Sequence, residues 1–207
     1  MIAHSIFLSV GLFALTFLSP GPNLLIVLQS SLAHGRGAGI AAGFGVAMAD
    51  GTYAALGLLG MAAVINQSGD LVSLVKIAGG IYLLWLAFKL IRSHPAADLD
   101  AAPAGAGSNV KPFVRGLTTG LTNPQSMLFF ASIFAVTLTV DTPAWARIVA
   151  WLGIVTTSIV WRVFLSVSFS HARVRAAYRR GQRALECFAG VVLAGFGAKL
   201  IAGGLRP

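Results

Sequence analysis

The chain has 207 residues, of which 57% are hydrophobic and only 10% are charged, and its mean hydropathy is +0.82. A soluble protein carries roughly 25% charged residues, so this composition excludes a soluble domain and indicates an integral membrane protein. The net charge of +9 is concentrated in connections between apolar segments, which favours anionic lipid over nucleic acid as the partner.

Six apolar segments are long enough to cross a membrane, for which a helix needs about 20 residues. The first has no Lys or Arg before it and no A-x-A site, so we expect a retained span rather than a cleaved signal peptide. The segment 93–112, rich in Ala, Gly and Pro, predicts a flexible linker. It would join two halves, about 1–92 and about 113–207, of a single transmembrane domain over 1–207. The predicted spans cover about 5–32, 37–65, 71–91, 113–140, 144–170 and 184–204.

Prolines interrupt the first and the fourth of these spans. The first carries Pro20-Gly21-Pro22-Asn23, and the fourth carries Asn123-Pro124. Proline removes a backbone donor and frees a carbonyl in the preceding turn, and such groups are costly in hydrocarbon unless they are satisfied. Interrupted helices at equivalent positions of two halves are the best sequence indication of a transporter's binding site. The alternative is a pair of proline kinks that bind no ligand.

The two halves also resemble each other in sequence. The segment from Gly80 to Ile91 aligns without gaps on the segment from Gly190 to Ile201. Because each half contains three spans, an odd number, the two copies would lie upside down relative to each other. We therefore predict an all-α membrane protein with six transmembrane helices in two inverted three-helix repeats, in which helices 1 and 4 are broken by proline.

Small residues recur at helical spacing in the second and fourth spans, where they allow a neighbouring helix to approach closely. Packing is the simpler interpretation, a surface that slides during transport is the alternative, and such faces also permit a homodimer. The single Cys187 excludes an intramolecular disulfide. The small residues are Gly35, Gly39, Gly43, Ala47 and Gly51 in the second span, and Gly116 and Gly120 in the fourth.

Four ionisable residues lie within the apolar spans: Asp50, Lys76, Arg162 and Glu186. A charge at the bilayer centre costs about 2.5–3.5 kcal/mol on insertion scales, so such residues normally face the bundle interior and find a partner. We expect Asp50 to pair with Lys76, and Arg162 with Glu186. The alternative pairs Asp50 with Arg162. Lys76 and Glu186 could instead extend to the headgroups, and Arg162 could be a lipid-facing anchor beside Trp161.

The helix breaks indicate what could bind there. We expect backbone amides without helical partners just after Pro22 and Pro124, and such amides suit a carboxylate. With Asp50 facing an ammonium group, the result is a pocket for a zwitterion. The amides are those of Asn23, Leu24, Leu25, Gln125 and Ser126, and the predicted pocket residues are Pro20, Gly21, Pro22, Asn23, Asn123, Pro124, Gln125 and Ser126. Tyr53 and Tyr82 either line the path or pack in the core.

These motifs together resemble the lysine-exporter/homoserine–threonine-resistance (LysE/RhtB) family of bacterial amino-acid exporters, over nearly the whole chain. The matching motifs are Ser19-Pro20-Gly21-Pro22-Asn23, Asp50 at the end of the glycine-rich stretch, Lys76-x-x-Gly79-Gly80-x-Tyr82-Leu83 and Gly116…Gly120-Leu121-x-Asn123-Pro124. The resemblance implies export of an amino acid or derivative across the bacterial inner membrane, driven by protons. It also implies a pathway role for Pro20, Gly21, Pro22, Asn23, Asp50, Asn123 and Pro124.

Two positions depart from the family pattern. Gln125 stands where the family usually has Lys, which disfavours a strongly anionic substrate unless Arg162 supplies the lost charge. Ala87 stands where the family usually has glycine, a smaller change that adjusts packing.

The distribution of Lys and Arg predicts the orientation. They favour the odd-numbered connections, which the positive-inside rule places in the cytoplasm, with both termini outside it. The fifth connection carries five Arg residues from Arg173 to Arg183 and is expected to lie against anionic lipid headgroups.

We therefore predict a secondary active exporter that works by alternating access around the two breaks, with Asp50 as the candidate proton-coupling residue. A passive channel or facilitator is the first alternative, because it needs the same breaks but no titrating acid. A membrane scaffold subunit is less favoured. An enzyme is disfavoured because the His residues fall near span ends and no metal-ligand spacing occurs, so we expect neither a metal nor a cofactor.

Overall fold

A computed structural model describes residues 2–18, 21–65, 69–92, 111–137, 142–169 and 171–205. Within these ranges, 94% of the residues are helical and no strand occurs. The helices are α1 (Ile2–Leu15), which continues into a 3-10 turn (Thr16–Leu18), α2 (Pro22–His34), α3 (Arg36–Ile65), α4 (Gly69–Arg92), α5 (Pro112–Leu121), α6 (Pro124–Thr137), α7 (Ala144–Ser168) and α8 (Ala172–Gly204).

Four of the described helices, α3, α4, α7 and α8, are long and apolar enough to cross a membrane. The first three match the predicted second, third and fifth spans to within two residues at each end. The apolar stretches of α1 and α6 are shorter, because each belongs to a span that is broken. The chain is therefore a multi-pass helical membrane protein.

The predicted start of the sixth span lies inside a longer helix. The sequence predicts it at about residue 184, but α8 begins at Ala172, with His171 at its N-cap. Hydropathy detects where a chain leaves apolar surroundings, whereas the Arg, Ala and Gln residues of this stretch are good helix formers. The five basic residues from Arg173 to Arg183 are therefore carried on the first turns of a helix, not on a loop.

The first and fourth predicted spans each consist of two shorter helices. In the first, α2 begins at Pro22, and Gly21 is extended at its N-cap. In the fourth, α5 ends at Leu121 and α6 begins at Pro124. Both breaks fall where the sequence predicts them, and both prolines occupy the first helical position, where the missing N–H has no intrahelical partner to lose. Ser19, Pro20 and residues 93–110 of the predicted linker lie outside the described residues.

Small residues bring α3 into close contact with α5 and α7. A Cβ atom placed on Gly43 would lie 2.6 Å from Cβ of Arg162, and one placed on Gly120 would lie 2.5 Å from Cβ of Ala49. The predicted close approach of helices is thus confirmed. Gly35 is the exception, because it joins α2 to α3 with a φ of +86°, a conformation that glycine adopts readily.

The helices α4 and α8 run antiparallel along most of their length. A Cβ on Gly80 would lie 2.7 Å from the carbonyl oxygen of Gly197, and one on Gly190 would lie 3.0 Å from that of Ala87. The gapless alignment of the two halves matches Gly80 with Gly190 and Ala87 with Gly197. The two contacts are therefore equivalent under that alignment.

Aromatic side chains fill the core between α1 and α6. The ring of Phe13 lies 5.3 Å from that of Phe130, centroid to centroid, and Phe130 lies 6.2 Å from Phe134. All three side chains are buried. Ring pairs at such distances add to the stabilisation from burial itself. This packing holds the end of α1 beside the start of α6 and so brings the two helix breaks to the same part of the molecule.

Candidate functional site

Asn123 organises the second helix break. Its side-chain Oδ1 accepts a hydrogen bond from the backbone N–H of Gln125 at 3.0 Å, and its carbonyl accepts one from the N–H of Ser126 at 3.1 Å. Asparagine is among the best N-cap residues because its side chain satisfies amides of the first turn in this way. Asn123 therefore caps α6, and its two oxygens accept the hydrogen bonds of first-turn amides at the point where Pro124 interrupts the helix.

Two tyrosines satisfy backbone carbonyls at this break. The hydroxyl of Tyr53 donates to the carbonyl of Leu121, whose usual helical donor, the Gln125 amide, is held by Asn123. The hydroxyl of Tyr82 donates to the carbonyl of Gln125 at 2.9 Å. Carbonyls left without a donor in hydrocarbon are costly. Tyr53 therefore replaces the donor that the Leu121 carbonyl has lost, whereas Tyr82 ties α4 to the first turn of α6, and the sequence revealed neither role.

The two breaks meet through their asparagines. Nδ2 of Asn123 donates to Oδ1 of Asn23 at 3.2 Å, and Nδ2 of Asn23 donates to Oγ of Ser126 at 3.2 Å. Asn23 lies in the first turn of α2, and Ser126 lies in the first turn of α6. The prediction that both breaks contribute to one site is consistent with this geometry. Gly21 and Gln125 also lie there, since a Cβ on Gly21 would be 4.0 Å from Oε1 of Gln125.

The expected unpaired amides are mostly occupied. The amides of Leu24 and Leu25 donate to the carbonyl of Gly21 at 3.0 and 3.1 Å. The amides of Gln125 and Ser126 both donate to Asn123. For these four residues the prediction is wrong, because the cap residue of each helix, Gly21 or Asn123, accepts hydrogen bonds from the amides of the first turn. Recognition at this site therefore falls to side chains.

Asp50 and Arg162 form a buried ion pair between α3 and α7. Nη2 of Arg162 lies 3.1 Å from Oδ2 of Asp50, and Oγ of Ser158 donates to the same oxygen at 2.7 Å. Asp50 is 2% exposed and Arg162 is 4% exposed. The pair can form because Gly43, with no side chain, leaves room for the stem of Arg162. Our expected pairings with Lys76 and Glu186 are wrong, and the alternative pairing of Asp50 with Arg162 is the one present.

Lys76 and Glu186 lie elsewhere. Glu186 is 1% exposed and accepts a hydrogen bond from Nε2 of Gln182 at 2.9 Å, within α8. It is therefore buried and does not extend to the headgroups. Lys76 is partly exposed, and its Cβ lies beside Gly204 in the last turn of α8. Arg162, in turn, is not the lipid-facing anchor that the sequence allowed, because the protein encloses it.

The ion pair and both helix breaks line one cavity of about 50 Å³. One part of its wall is polar, formed by Thr16, Gly21, Asn23, Asp50, Asn123, Gln125, Ser126 and Arg162. The remainder is apolar and mostly aromatic, formed by Phe13, Phe17, Leu24, Phe129, Phe130 and Trp161. Typical small-molecule sites enclose roughly 300–1,000 Å³, so the cavity is too narrow for such a ligand in this conformation and has room for no more than a few water molecules.

Two buried donors at this cavity have no acceptor among the described residues. They are Nε of Arg162 and the indole Nε1 of Trp161. Both side chains contact Phe17, whose ring lies 5.3 Å from the Trp161 ring in a stacked arrangement and 5.4 Å from Cζ of Arg162. Sequence analysis did not assign Trp161 or Ser158 to the site. Ser158 precedes Arg162 by one helical turn, a spacing that places both on one face.

The described residues offer no obvious metal centre. No group of three or more His, Cys, Asp or Glu side chains within these ranges is placed to hold an ion. The chemistry available at the cavity is therefore one acid, one base, amide and hydroxyl groups, and aromatic rings.

Comparison with known proteins identifies related transporters. Residues 14–204 match the family model described as LysE type translocator. The chain is 50% identical to the protein named "Uncharacterized membrane protein YahN" of Escherichia coli K12, over 96% of this chain and 89% of that protein. It is 28% identical to the threonine efflux protein of the same strain, covering 95% and 97% of the two chains. It is 33% identical to the leucine efflux protein of Klebsiella pneumoniae, covering 88% of each chain. No solved structure matches the chain.

Proposed function

The chain belongs to the LysE family of translocators, so it is a transporter rather than an enzyme, and we propose that it exports an amino acid or amino-acid derivative from the cytoplasm. The observation that carries this proposal is the cavity lined by both helix breaks and by the Asp50–Arg162 pair. A carboxylate, a guanidinium and several neutral polar side chains lie together there, in a chain that is otherwise strongly apolar. Buried polar groups inside a membrane mark substrate pathways.

Alternating access around the breaks is the mechanism that we propose. The cavity is too small for an amino acid in this conformation, so entry requires that the elements lining it move apart. The equivalent contacts of Gly80 with Gly197 and of Gly190 with Ala87 support an arrangement of six spans in two inverted repeats. In such proteins one half moves against the other and exposes a central site to each side in turn.

The distribution of charge supports an orientation. Nη2 of Arg36 lies 3.5 Å from Nε2 of His171, which places the start of α3 beside the start of α8. Because α4 packs antiparallel to α8, its C-terminal end points towards the end of α8 that carries His171, and Ile91 contacts Gly190 near the middle of α8. We propose that this basic end faces the cytoplasm of a bacterium, against anionic lipid, and that both termini lie outside it.

Asp50 is the proposed site of proton coupling. It is buried beside the pathway, and its charge is held by Arg162 and Ser158, so gain or loss of a proton would change the bonds that join α3 to α7. Moving one charge across about 150 mV supplies about 3.5 kcal/mol. At about 1.36 kcal/mol per factor of ten, one proton per substrate sustains an outward gradient of a few hundred-fold, which is enough for export.

The test is transport in vesicles that contain the purified protein. A panel of neutral, basic and acidic amino acids is loaded, and efflux is followed with and without a proton gradient. We expect efflux of at least one neutral amino acid that slows when the gradient is collapsed. Asp50→Asn should abolish the dependence on the gradient while the protein still inserts into the membrane. Efflux that ignores the gradient would favour a passive facilitator, and no efflux of any amino acid would contradict the proposal.

A further inference from the structure

The two unpartnered donors indicate that the closed site lacks an acceptor. Nε of Arg162 and Nε1 of Trp161 are buried, belong to residues that line the cavity, and donate to no group in the described chain. Burying a donor without an acceptor is unfavourable, and charged donors incur the larger penalty. Adjacent residues of α7 supply both donors, and both side chains contact Phe17. An oxygen of an anionic group that reaches either donor when the site opens would satisfy it.

The backbone amides of the helix caps are not available to a carboxylate at this site. The amides that would usually bind it, those of Leu24, Leu25, Gln125 and Ser126, are bonded within their own helix caps. Asp50, in contrast, has a carboxylate oxygen that is still available as an acceptor. Both of its hydrogen bonds fall on Oδ2, and its Oδ1 accepts none from the described residues. The site therefore has unused hydrogen-bond donors on Arg162 and Trp161, and an unused acceptor on Asp50.

We propose that this ion pair binds the two charges of the substrate, a deepening that rests on the proposed export function. Arg162 Nε and Trp161 Nε1 donate to the substrate's carboxylate, and Asp50 accepts from its ammonium group. The zwitterion thereby replaces part of the bond between Asp50 and Arg162 when the site opens. Ser158 positions the Asp50 carboxylate from the adjacent turn of α7.

The same cavity selects the substrate's side chain. Asp50 and Arg162 are the charged residues in its lining, and the zwitterion's own charges occupy both. The rest of the wall includes Phe13, Phe17, Phe129 and Phe130, and the side chains that line it at the second break, those of Asn123, Gln125 and Ser126, are neutral. A basic or acidic side chain would be buried there without a partner, which is strongly unfavourable. The preferred substrate is therefore an amino acid with a neutral side chain.

The experiment measures binding to the purified full-length protein, with leucine as the probe. Leucinamide lacks the carboxylate, 4-methylpentanoate lacks the ammonium group, and lysine and glutamate carry a charged side chain. We expect leucine to bind, and each of the other four to bind at least tenfold more weakly. Trp161→Phe keeps the ring on Phe17 but removes the N–H, and it should weaken leucine binding about tenfold, as expected for one hydrogen bond to a charged group.

Matched variants separate binding from folding. Trp145→Phe removes an indole N–H at a position that is 56% exposed and should leave leucine binding unchanged. Arg162→Lys keeps the charge opposite Asp50 but removes Nε, so it should lower leucine affinity while the leucinamide affinity stays the same.

Two results would overturn the inference. One is leucinamide or 4-methylpentanoate binding as tightly as leucine. The other is a Trp161→Phe protein that binds leucine as the wild type does. Either can occur in a protein that still exports amino acids, whereas a wild type that moves no amino acid contradicts the export function itself.

Discussion

The Asp50–Arg162 pair gives a sharp prediction for stability. Each partner is almost fully buried, and their charged atoms lie 3.1 Å apart. Removing one partner of a buried pair leaves an uncompensated charge and typically costs about 3–5 kcal/mol. We therefore expect Asp50→Asn and Arg162→Gln each to destabilise the protein by about 3 kcal/mol or more. The double variant, which leaves no unpaired charge, should be at least about 2 kcal/mol more stable than the sum of the single effects predicts.

The assay is unfolding in detergent, measured by denaturant titration or thermal melting. The wild type, the two single variants and the double variant are measured under the same conditions. Lys76→Gln is the matched control, because Lys76 is the partner that sequence reasoning favoured for Asp50. Its effect should add to that of Asp50→Asn without coupling, since Lys76 lies beside Gly204 at the end of α8. Additive effects for Asp50 and Arg162, or coupling of Asp50 to Lys76, would refute the assignment of the pair.

Two further predictions concern the elements that support the site. Gly43→Ala places a methyl group 2.6 Å from Cβ of Arg162, so it should destabilise the protein by about 1–3 kcal/mol through overpacking and slow export. Gly60→Ala in the same helix meets nothing within 4 Å and should be neutral or stabilising. Equal melting temperatures for the two variants would contradict the close α3–α7 contact. Tyr53→Phe leaves the Leu121 carbonyl without its hydroxyl donor and should cost about 1–3 kcal/mol of stability. The control is Thr52→Val at the adjacent position, where the Thr52 hydroxyl donates to the Met48 carbonyl within α3; equal losses for both variants would argue against a supporting role for Tyr53.

The helix breaks could be predicted because their cause is local. Pro22 and Pro124 cannot donate a backbone hydrogen bond, wherever the rest of the chain goes. The small residues of α3 were also readable, because their spacing alone defines a helix face. Both features follow from residues close together in the sequence, and the structure has helix breaks and close helix contacts at those places.

The ion pair could not be assigned from sequence because it depends on which helices are neighbours. Asp50 lies on α3, which packs against α5 and α7, whereas Lys76 lies on α4, which packs mainly against α8 and α6. The approximate symmetry of the two halves matched acids with bases but did not say which pairs touch. That is decided by close packing, here by Gly43 opposite Arg162. Likewise, the sequence predicts free amides after each proline, whereas the folded caps place Gly21 and Asn123 within reach of them.

The bonds that close this site also determine what can open it. Asn123 to Asn23, Asn23 to Ser126, and Arg162 to Asp50 all join different helices, and each must be broken or exchanged if the helices are to move apart. A ligand shifts such an equilibrium only by as much as it prefers one state over the other. A molecule that only fills the cavity does not favour the open conformation. A molecule that supplies both an acceptor for Arg162 and a donor for Asp50 does favour it, because its bonds replace the Asp50–Arg162 bond that opening breaks. Recognition and movement would then have the same physical origin, so a variant that weakens zwitterion binding should also slow the conformational change.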